Sequence, residues 1–439
     1  MSFPHTHILV FGAGKSSTVL IDYLKRETRH RQWTLTVADA DLQTVLQKLG
    51  TESHTHAVQL DILDREKRQE LINSADVVIS LMPPALHYHV AIDCLALKKH
   101  LLTASYVDDK IKALQQEIAD QGLLFLCEMG LDPGIDHMSA MQLIHSIKMK
   151  GGKIRSFLSH CGGLVAPESD TNPWHYKISW NPRNVVLAGK AGAVFLKDGK
   201  EQALSYEQLF HTSGKVNIPQ IGQLAYYANR DSLSYIEKYD LQDCKTFIRT
   251  TLRHPGFCKG WAAIIDLKLT DEIETYDTDT LLMRDFLASH IQRHRLSVTA
   301  DQLSTDNKIH EMLLSLGLNT VLPINKGVCT AADILQWRME SSWILEPQDK
   351  DMIVMLHEIE YELHGEQKNI KSSLVVKGED HLRTAMAKTV GLPLGIAAIL
   401  IAERSLHEKG LHIPIIPSIY TPVLLLLEKE GIVFREFEN

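Results

Sequence analysis

His7-Ile8-Leu9-Val10-Phe11-Gly12-Ala13-Gly14-Lys15-Ser16-Ser17 is the stretch whose reading decides the fold. His7–Phe11 is a short, mostly apolar run, as a strand buried on both faces requires. The two glycines let the chain turn tightly and let an anion approach the backbone. The helix that opens at Lys15 offers that anion its unbonded N–H groups. Ser17 stands where a GxGxxG pattern has its third glycine, a small residue but a departure. A P-loop is excluded, because GxxxxGK[ST] needs a glycine where Leu9 stands.

Five more runs follow at intervals of about 20 to 25 residues. They are Thr34–Ala38, Ala57–Asp61, Asp76–Met82, His100–Ser105 and Leu123–Glu128. Each gap has room for one helix. In Lys15–Thr28, Val19, Leu20, Tyr23 and Leu24 mark one apolar face. This alternation predicts an α/β unit with a doubly wound parallel sheet. Asp39 ends the second run, where an acid hydrogen-bonds the adenosine ribose. The competing role is N-cap of the segment from Leu42, for which Asp41 is an equal candidate. Asp61 is placed near the adenine. Ser80 and Leu81, leading into Met82-Pro83-Pro84, are placed beside the cofactor crevice. The expected cofactor set is Gly12, Gly14, Lys15, Ser16, Ser17, Asp39, Asp61, Ser80, Leu81 and Ser105.

The 439 residues allow two or three domains with substantial cores. Apolar residues at 44 % and charged residues at 23 % fit a soluble globular chain and exclude a disordered one. Lysine and arginine number 46 against 54 acids, a formal charge of −8. No basic block stands out, so neither nucleic acid nor an anionic membrane is an expected partner. The apolar stretch from Leu392 to Ala402 is read as too short to span a bilayer. Six cysteines, at 94, 127, 161, 244, 258 and 329, form no CxxC pair. Reduced thiols in a cytoplasmic protein are therefore expected. Met1 runs into the first strand without a charged leader, so no signal peptide is expected. Three HxH pairs, His5/His7, His54/His56 and His87/His89, have no third ligand nearby in sequence and are read as solvated or packed side chains. No metal is expected.

After Glu128 polar and glycine-rich clusters appear: Gly130–His137, Ser159–Glu168, Trp180–Arg183, Asn229–Ser232 and Arg249–Arg253. Such clusters fit loops around a site. Several of them, with the earlier turn, resemble saccharopine dehydrogenase of the glutamate-forming type. The matching pieces are GAG at Gly12–Gly14, TASYV at Thr103–Val107 and GLDPGIDH at Gly130–His137. SHCGGLVAPE at Ser159–Glu168, NRDS at Asn229–Ser232 and TLR at Thr251–Arg253 complete them. They keep the family's order across most of the chain.

The resemblance implies a Rossmann domain over 1–131 and 389–439. It also implies a mixed α/β substrate and dimerisation domain over 132–388, with a small helical insertion around 280–345. Thr384–Leu406 and Ser418–Lys429 read as helices able to cover the sheet. The implied reaction takes hydride from the lysine ε-carbon of saccharopine to give an imine, then hydrolyses it to glutamate and aminoadipate semialdehyde. The implied partners are this small-molecule substrate and a second copy in a homodimer. Tyr106, Asp132 and Cys161 are implied near the reacting nitrogen, as groups able to move protons. Asp132 has a competing role as cap of the helix after Pro133, and His137 is a lesser candidate. The expected substrate set is Tyr106, Asp132, Trp180, Arg230, Thr251 and Arg253, with the two arginines clamping carboxylates. The cofactor expected is NAD. Asp39 would repel a 2′-phosphate, and no Arg or Lys lies from Ala40 to Gln47. Two other readings are a related imine reductase such as carboxynorspermidine dehydrogenase, with re-aimed arginines, and a silent dinucleotide sensor without a titratable cluster.

Overall fold

Strands buried on both faces need no polar side, and five of the first six strands of the first unit are of this kind, the edge strand Thr55–Gln59 being half-buried to exposed. A computed structural model describes residues 6–438. The strands are β1 (His7–Phe11), β2 (Thr34–Asp39), β3 (Thr55–Gln59), β4 (Val77–Ser80), β5 (His100–Thr103) and β6 (Leu124–Leu126). A return strand, Gly410–His412, joins β6. All pairs are parallel, in the order return strand, β6, β5, β4, β1, β2, β3. The order reverses beside β1, so the loops after β1 and β4 flank the switch point where such sheets bind ligands. Four strands stop two residues earlier than the apolar runs suggest, at Gln59, Ser80, Thr103 and Leu126. Asp61, Leu81, Ser105 and Glu128 thereby fall in loops beyond the carboxyl ends of the strands.

The helix Ala385–Ala402 covers one face of this sheet and packs on the helix Thr18–Arg31. Gly391 permits the approach: a Cβ there would lie 2.9 Å from the Leu20 backbone nitrogen. The apolar helix is longer than the stretch Leu392–Ala402, because it continues back through Val390 and Met386 to Ala385 despite Lys388 and Thr389. At 18 residues it is long and apolar enough to cross a membrane, but 78 % of it is buried inside the protein. Core packing accounts for its composition.

The chain divides at Gly152/Lys153 and Lys377/Gly378, not at 131/132 and 388/389, and it divides again at Arg435/Glu436, so the end of the expected segment 389–439 joins the second unit. The helix Ile135–Met149 causes the first difference. It packs on the helix Pro417–Lys429, where His145 Nδ1 lies 2.8 Å from the Tyr420 hydroxyl. Arg383 causes the second, through a 3.0 Å ion pair to Asp22.

The second unit is a mixed sheet. Its strands are β7 (Lys153–Val165), β8 (Ala193–Lys197), β9 (Lys200–Leu204), β10 (Gly214–Ile218), β11 (Gly222–Ala228), β12 (Arg230–Asp231) and β13 (Thr246–Arg253). β14 (Thr275–Asp277) and β15 (Val328–Thr330) form a separate two-stranded sheet, while β16 (Asp351–Leu363) and β17 (Glu366–Lys377) belong to the mixed one. The main path runs β10, β11, β13, β7, β16, β17, then the final strand Arg435–Glu438. Helices Met283–Arg293, Asn307–Ser315 and Ala331–Ser342 occupy the expected insertion, with β14 and β15 paired beside them. Trp174, Trp261 and Trp343 lie in the core they share with the sheet.

A polar line crosses this sheet. His160 on β7 is fully buried. Its Nδ1 meets Thr250 Oγ1 at 2.6 Å and its Nε2 meets Glu358 Oε2 at 3.2 Å. Glu358 Oε1 accepts from Lys371 at 2.5 Å. His160, with Lys371 behind it, holds the Glu358 carboxyl at about 2, against its partial burial. A depressed carboxyl stabilises the fold above its unfolded pKa and loses that contribution as pH falls through the folded value. Glu358→Gln should therefore cost roughly 1–2 kcal/mol at pH 7, discounted for solvent screening. The gap to wild type should close between about pH 4.5 and pH 2. Urea melts at several pH values check this; a gap independent of pH would refute it.

Candidate active site

Gly12 follows β1 with φ +103°, a region that L side chains rarely adopt. A Cβ there would stand 2.9 Å from the Leu81 carbonyl oxygen. The loop is held from two sides. Asp39 at the end of β2 accepts the Ala13 N–H at 2.6 Å and the Asp41 N–H at 3.0 Å. Asp41, not Asp39, caps the helix Leu42–Leu49 by accepting from Gln43 and Thr44. Lys48 in that helix donates to Ala13 O at 2.7 Å, Gly14 O at 2.6 Å and Ser17 Oγ at 3.1 Å. Burial pushes its ammonium down to about 8, opposed by Asp39 and Asp22. Ser17 is buried and its hydroxyl donates to Gly14 O at 2.9 Å, which closes the turn in the absence of a third glycine. The cradle that a Cβ would fill, with an acid at the end of β2, fits a nicotinamide dinucleotide.

Ser80 ends β4 and Ser105 stands two residues beyond the end of β5, and one histidine joins them. His87 Nδ1 is 2.8 Å from Ser80 Oγ, and its Nε2 is 2.7 Å from Ser105 Oγ. Burial lowers His87 to about 4, against a smaller opposing pull from Asp108. The ring is therefore neutral at pH 7, with one donor and one acceptor nitrogen.

Tyr106 and Asp132 come together next. The Tyr106 hydroxyl is 3.5 Å from Asp132 Oδ1. Asp132 is joined to Pro133 by a cis peptide and is only half-buried. It does not cap the following helix; Asp136 takes the Gly134 N–H instead, at 2.6 Å. Around this pair lies a buried polar network. Glu128, at φ +58°, accepts the Val107 N–H at 3.3 Å and meets His137 Nε2 at 2.8 Å. His137 Nδ1 is 3.5 Å from Asp136 Oδ2. The three side chains belong to residues that are 1 %, 0 % and 2 % exposed for Glu128, His137 and Asp136. They tie the segment carrying Tyr106 to the loop carrying Asp132.

In the second unit Arg253 ends β13 and is 4 % exposed. Its guanidinium carbon lies 5.4, 5.8 and 5.2 Å from the rings of Tyr176, Tyr227 and Phe257. Nη1 donates to the Leu252 carbonyl at 2.8 Å, and Nε has no hydrogen-bond partner. Among the described residues no acid pairs with it. Burial works against this charge, while the side chains of Tyr227, Tyr176, Cys258 and Cys161 work for it. Trp180 Nε1 donates to the Tyr176 hydroxyl at 3.0 Å. Cys161 on β7 and Tyr227 on β11 both lie opposite Thr251 of β13. Strand alternation puts Arg253, two residues on, on the same face. A buried guanidinium walled by aromatic rings and lacking an acid is a receptor for an anion.

Arg230 is different. The chain turns out of β11 at Asn229, and Arg230 (φ +51°) sits exposed on β12 beside β8. The structure does not place it in the Arg253 box. Asp61 is also exposed, and its carboxylate accepts the Leu63 N–H at 2.9 Å in a turn. Lys15 is exposed and Ser16 half-buried at the start of the helical segment. Sequence reasoning missed Lys48, His87, Glu128 and Asp136. Only Glu128 carried a signal, as an acid just past a strand end. His87 and His89 lie on a helix, so their spacing does not put them on one face. His5 lies outside the described residues. Among the described residues no group of three His, Cys, Asp or Glu side chains is arranged to hold a metal ion.

Comparison with known proteins agrees with this geometry. Residues 8–126 match the "Saccharopine dehydrogenase NADP binding domain" family and residues 130–432 the "Saccharopine dehydrogenase C-terminal domain" family. Saccharopine dehydrogenase [NADP(+), L-glutamate-forming] of Saccharomyces cerevisiae is 33 % identical over 445 residues, 98 % of each chain. Alpha-aminoadipic semialdehyde synthase of Arabidopsis thaliana is 32 % identical over 98 % of this chain, but that match spans 44 % of the plant protein. The chain thus covers under half the length of the plant and animal synthases it matches. The solved structure of apo saccharopine dehydrogenase (L-Glu forming) from Saccharomyces cerevisiae superposes with a TM-score of 0.88 at 30 % identity, covering 99 % of this chain and 100 % of that one.

An unpaired buried charge opposes folding, so its removal should not harm the fold. Arg253→Met should leave stability unchanged or raise it by up to roughly 2 kcal/mol. Thermal melts of the unliganded protein test this. A loss of several kcal/mol would instead make the arginine a structural part of the aromatic core.

Proposed function

Because the chain belongs to the saccharopine dehydrogenase family, we propose that it interconverts saccharopine with glutamate and aminoadipate semialdehyde, in lysine metabolism, using NAD. The observation that carries this reading is Arg253, a buried guanidinium without an acid partner, in a protein whose other unit fits a dinucleotide. Saccharopine has three carboxylates. Arg253 binds one of them through a charge-assisted fork, and the flat faces of Tyr176, Tyr227 and Phe257 keep water from it. Thr251 and Trp180 line the same side, and Arg230 meets a second carboxylate from its exposed position.

A bound dinucleotide would supply the hydride acceptor for the lysine ε-carbon. Gly12, Gly14, Ser16, Ser17 and Asp39 would hold it, with Ser80, Leu81 and Ser105 at the ends of neighbouring strands. Asp132 accepts the proton that the substrate ammonium must lose before its nitrogen lone pair can form an imine. Tyr106, 3.5 Å from that carboxylate, relays the proton. Cys161 is the third candidate for proton transfer as water adds and the carbinolamine collapses. The Glu128–His137 contact holds Tyr106 and Asp132 in register by tying down the backbone beside each.

The preference for NAD over NADP rests on Asp39. Its carboxylate stands where a 2′-phosphate would be repelled, at a cost on the order of 1–3 kcal/mol. The fungal relatives carry NADP(+) in their names, so this chain would depart from them. A cytoplasmic homodimer completes the reading, supported by the resemblance and by six free cysteines.

Absorbance of NADH should rise when the protein meets saccharopine and NAD⁺, with glutamate as the amino-acid product. Lysine and 2-oxoglutarate as products would overturn the proposal. NADP⁺ should give a kcat/KM lower by about ten- to a hundredfold, and Asp39→Ala should narrow that gap. A higher kcat/KM with NADP⁺ refutes the NAD assignment. Asp132→Ala should lower kcat by roughly 10²–10⁴. Arg253→Lys should raise KM for saccharopine by about one to three orders of magnitude while NADH binding holds. Arg230→Lys should do less, because that side chain is exposed.

A further inference from the structure

Lys48 lies outside the glycine turn in sequence but ends inside it. Its ammonium is the meeting point of three bonds, to Ala13 O at 2.7 Å, Gly14 O at 2.6 Å and Ser17 Oγ at 3.1 Å. An ammonium has three donors, and all three are used. The consequence follows from peptide geometry. In a trans peptide the C=O and the next N–H point in opposite directions. With the Ala13 and Gly14 carbonyls both turned to Lys48, the N–H groups of Gly14 and Lys15 both turn away from it. Two successive N–H groups aimed the same way form a concave anion site. Asp39 fixes the preceding peptide by taking the Ala13 N–H at 2.6 Å. The next N–H groups are thus oriented before any ligand arrives, and the ordering cost of binding is lowered.

We propose that Lys48 is the positioning residue of the dinucleotide site, holding the Gly12–Ser17 turn with its N–H groups set for a pyrophosphate. This rests on the dinucleotide-dependent reading above and deepens it. The role is independent of the 2′ position of the ribose, because the ammonium is spent on the loop carbonyls. Lys48 touches the loop, not the reacting atoms. The helix Leu42–Leu49, started by the Asp41 cap, delivers it from its last turn.

The test is calorimetric titration of NADH and of NADPH into wild type, Lys48→Met and Lys48→Arg. Lys48→Met should weaken both dinucleotides by about ten- to a hundredfold, by factors equal to within about threefold of each other. KM for saccharopine at saturating dinucleotide should stay near wild type, and the melting temperature should fall by no more than roughly a few degrees, because the turn carbonyls lose their donor. Lys48→Arg, which keeps a cation and several donors, should restore part of the affinity. Unchanged Kd values for Lys48→Met would overturn the proposal. So would a loss confined to NADPH, which would make Lys48 a reader of the 2′-phosphate. A melting temperature lowered well beyond those few degrees, with equal loss of dinucleotide affinity in Lys48→Arg, would make it a structural residue and also overturn it. Binding is read without turnover. A wild type that binds NADH but ignores saccharopine would therefore sink the substrate assignment and leave this test intact.

Discussion

One carboxylate bond organises the first unit: Asp39 on the Ala13 N–H, at 2.6 Å. It joins the end of β2 to the turn after β1, beside the switch point that lies between β1 and β4. A tight glycine turn exposes peptide groups that no ladder satisfies, and each needs a partner. Here Asp39 takes the N–H edge and Lys48 takes the C=O edge. Opposite charges thus stand on opposite edges of one short segment, and each lowers the cost of burying the other. The same carboxylate also receives the Asp41 N–H, which starts the helix that carries Lys48. Sheet, turn and helix are therefore one construction.

The second unit solves the reverse problem. A core rich in tryptophan, tyrosine and phenylalanine is an expensive place for a guanidinium without a counter-ion. Aromatic faces offset part of that cost through their quadrupoles, at distances of 5.2–5.8 Å. An acid side chain in the protein would offset more, and would also fill the position an incoming carboxylate needs. The residue thus keeps a buried charge at a cost in stability, with its Nε left without a partner. Buried Lys177 shows the ordinary alternative in the same unit: it is paired with Asp349 at 2.5 Å.

The legible part of this molecule was the part governed by local rules. Apolar runs at regular spacing gave the parallel strands, and Gly12-Ala13-Gly14 gave the turn. Where strands end was less visible, because a ladder ends when its neighbour leaves, and the apolar run continues for two residues more. The helix expected over Thr384–Leu406 is present as Ala385–Ala402, and only the extent of its apolar stretch exceeds the reading, because Lys388 and Thr389 interrupt the apolar run before Leu392.

What the sequence hid was contact across the fold. Lys48 is 34 residues from Gly14, and His87 joins Ser80, 7 positions before it, to Ser105, 18 positions after it. No spacing rule connects such positions. The two arginines make the same point in a sharper way. Both sit in family-like motifs, and chemistry alone makes them equivalent carboxylate clamps. Arg253 ends a central strand with side-chain direction fixed by the alternation of β13, so it points into the aromatic core. Arg230 follows a turn at positive φ that carries the chain off β11 onto an outer pairing with β8, so it faces solvent. A desolvated guanidinium binds a carboxylate far more strongly than a hydrated one. Burial, set by strand position, ranks the two residues where residue type could not.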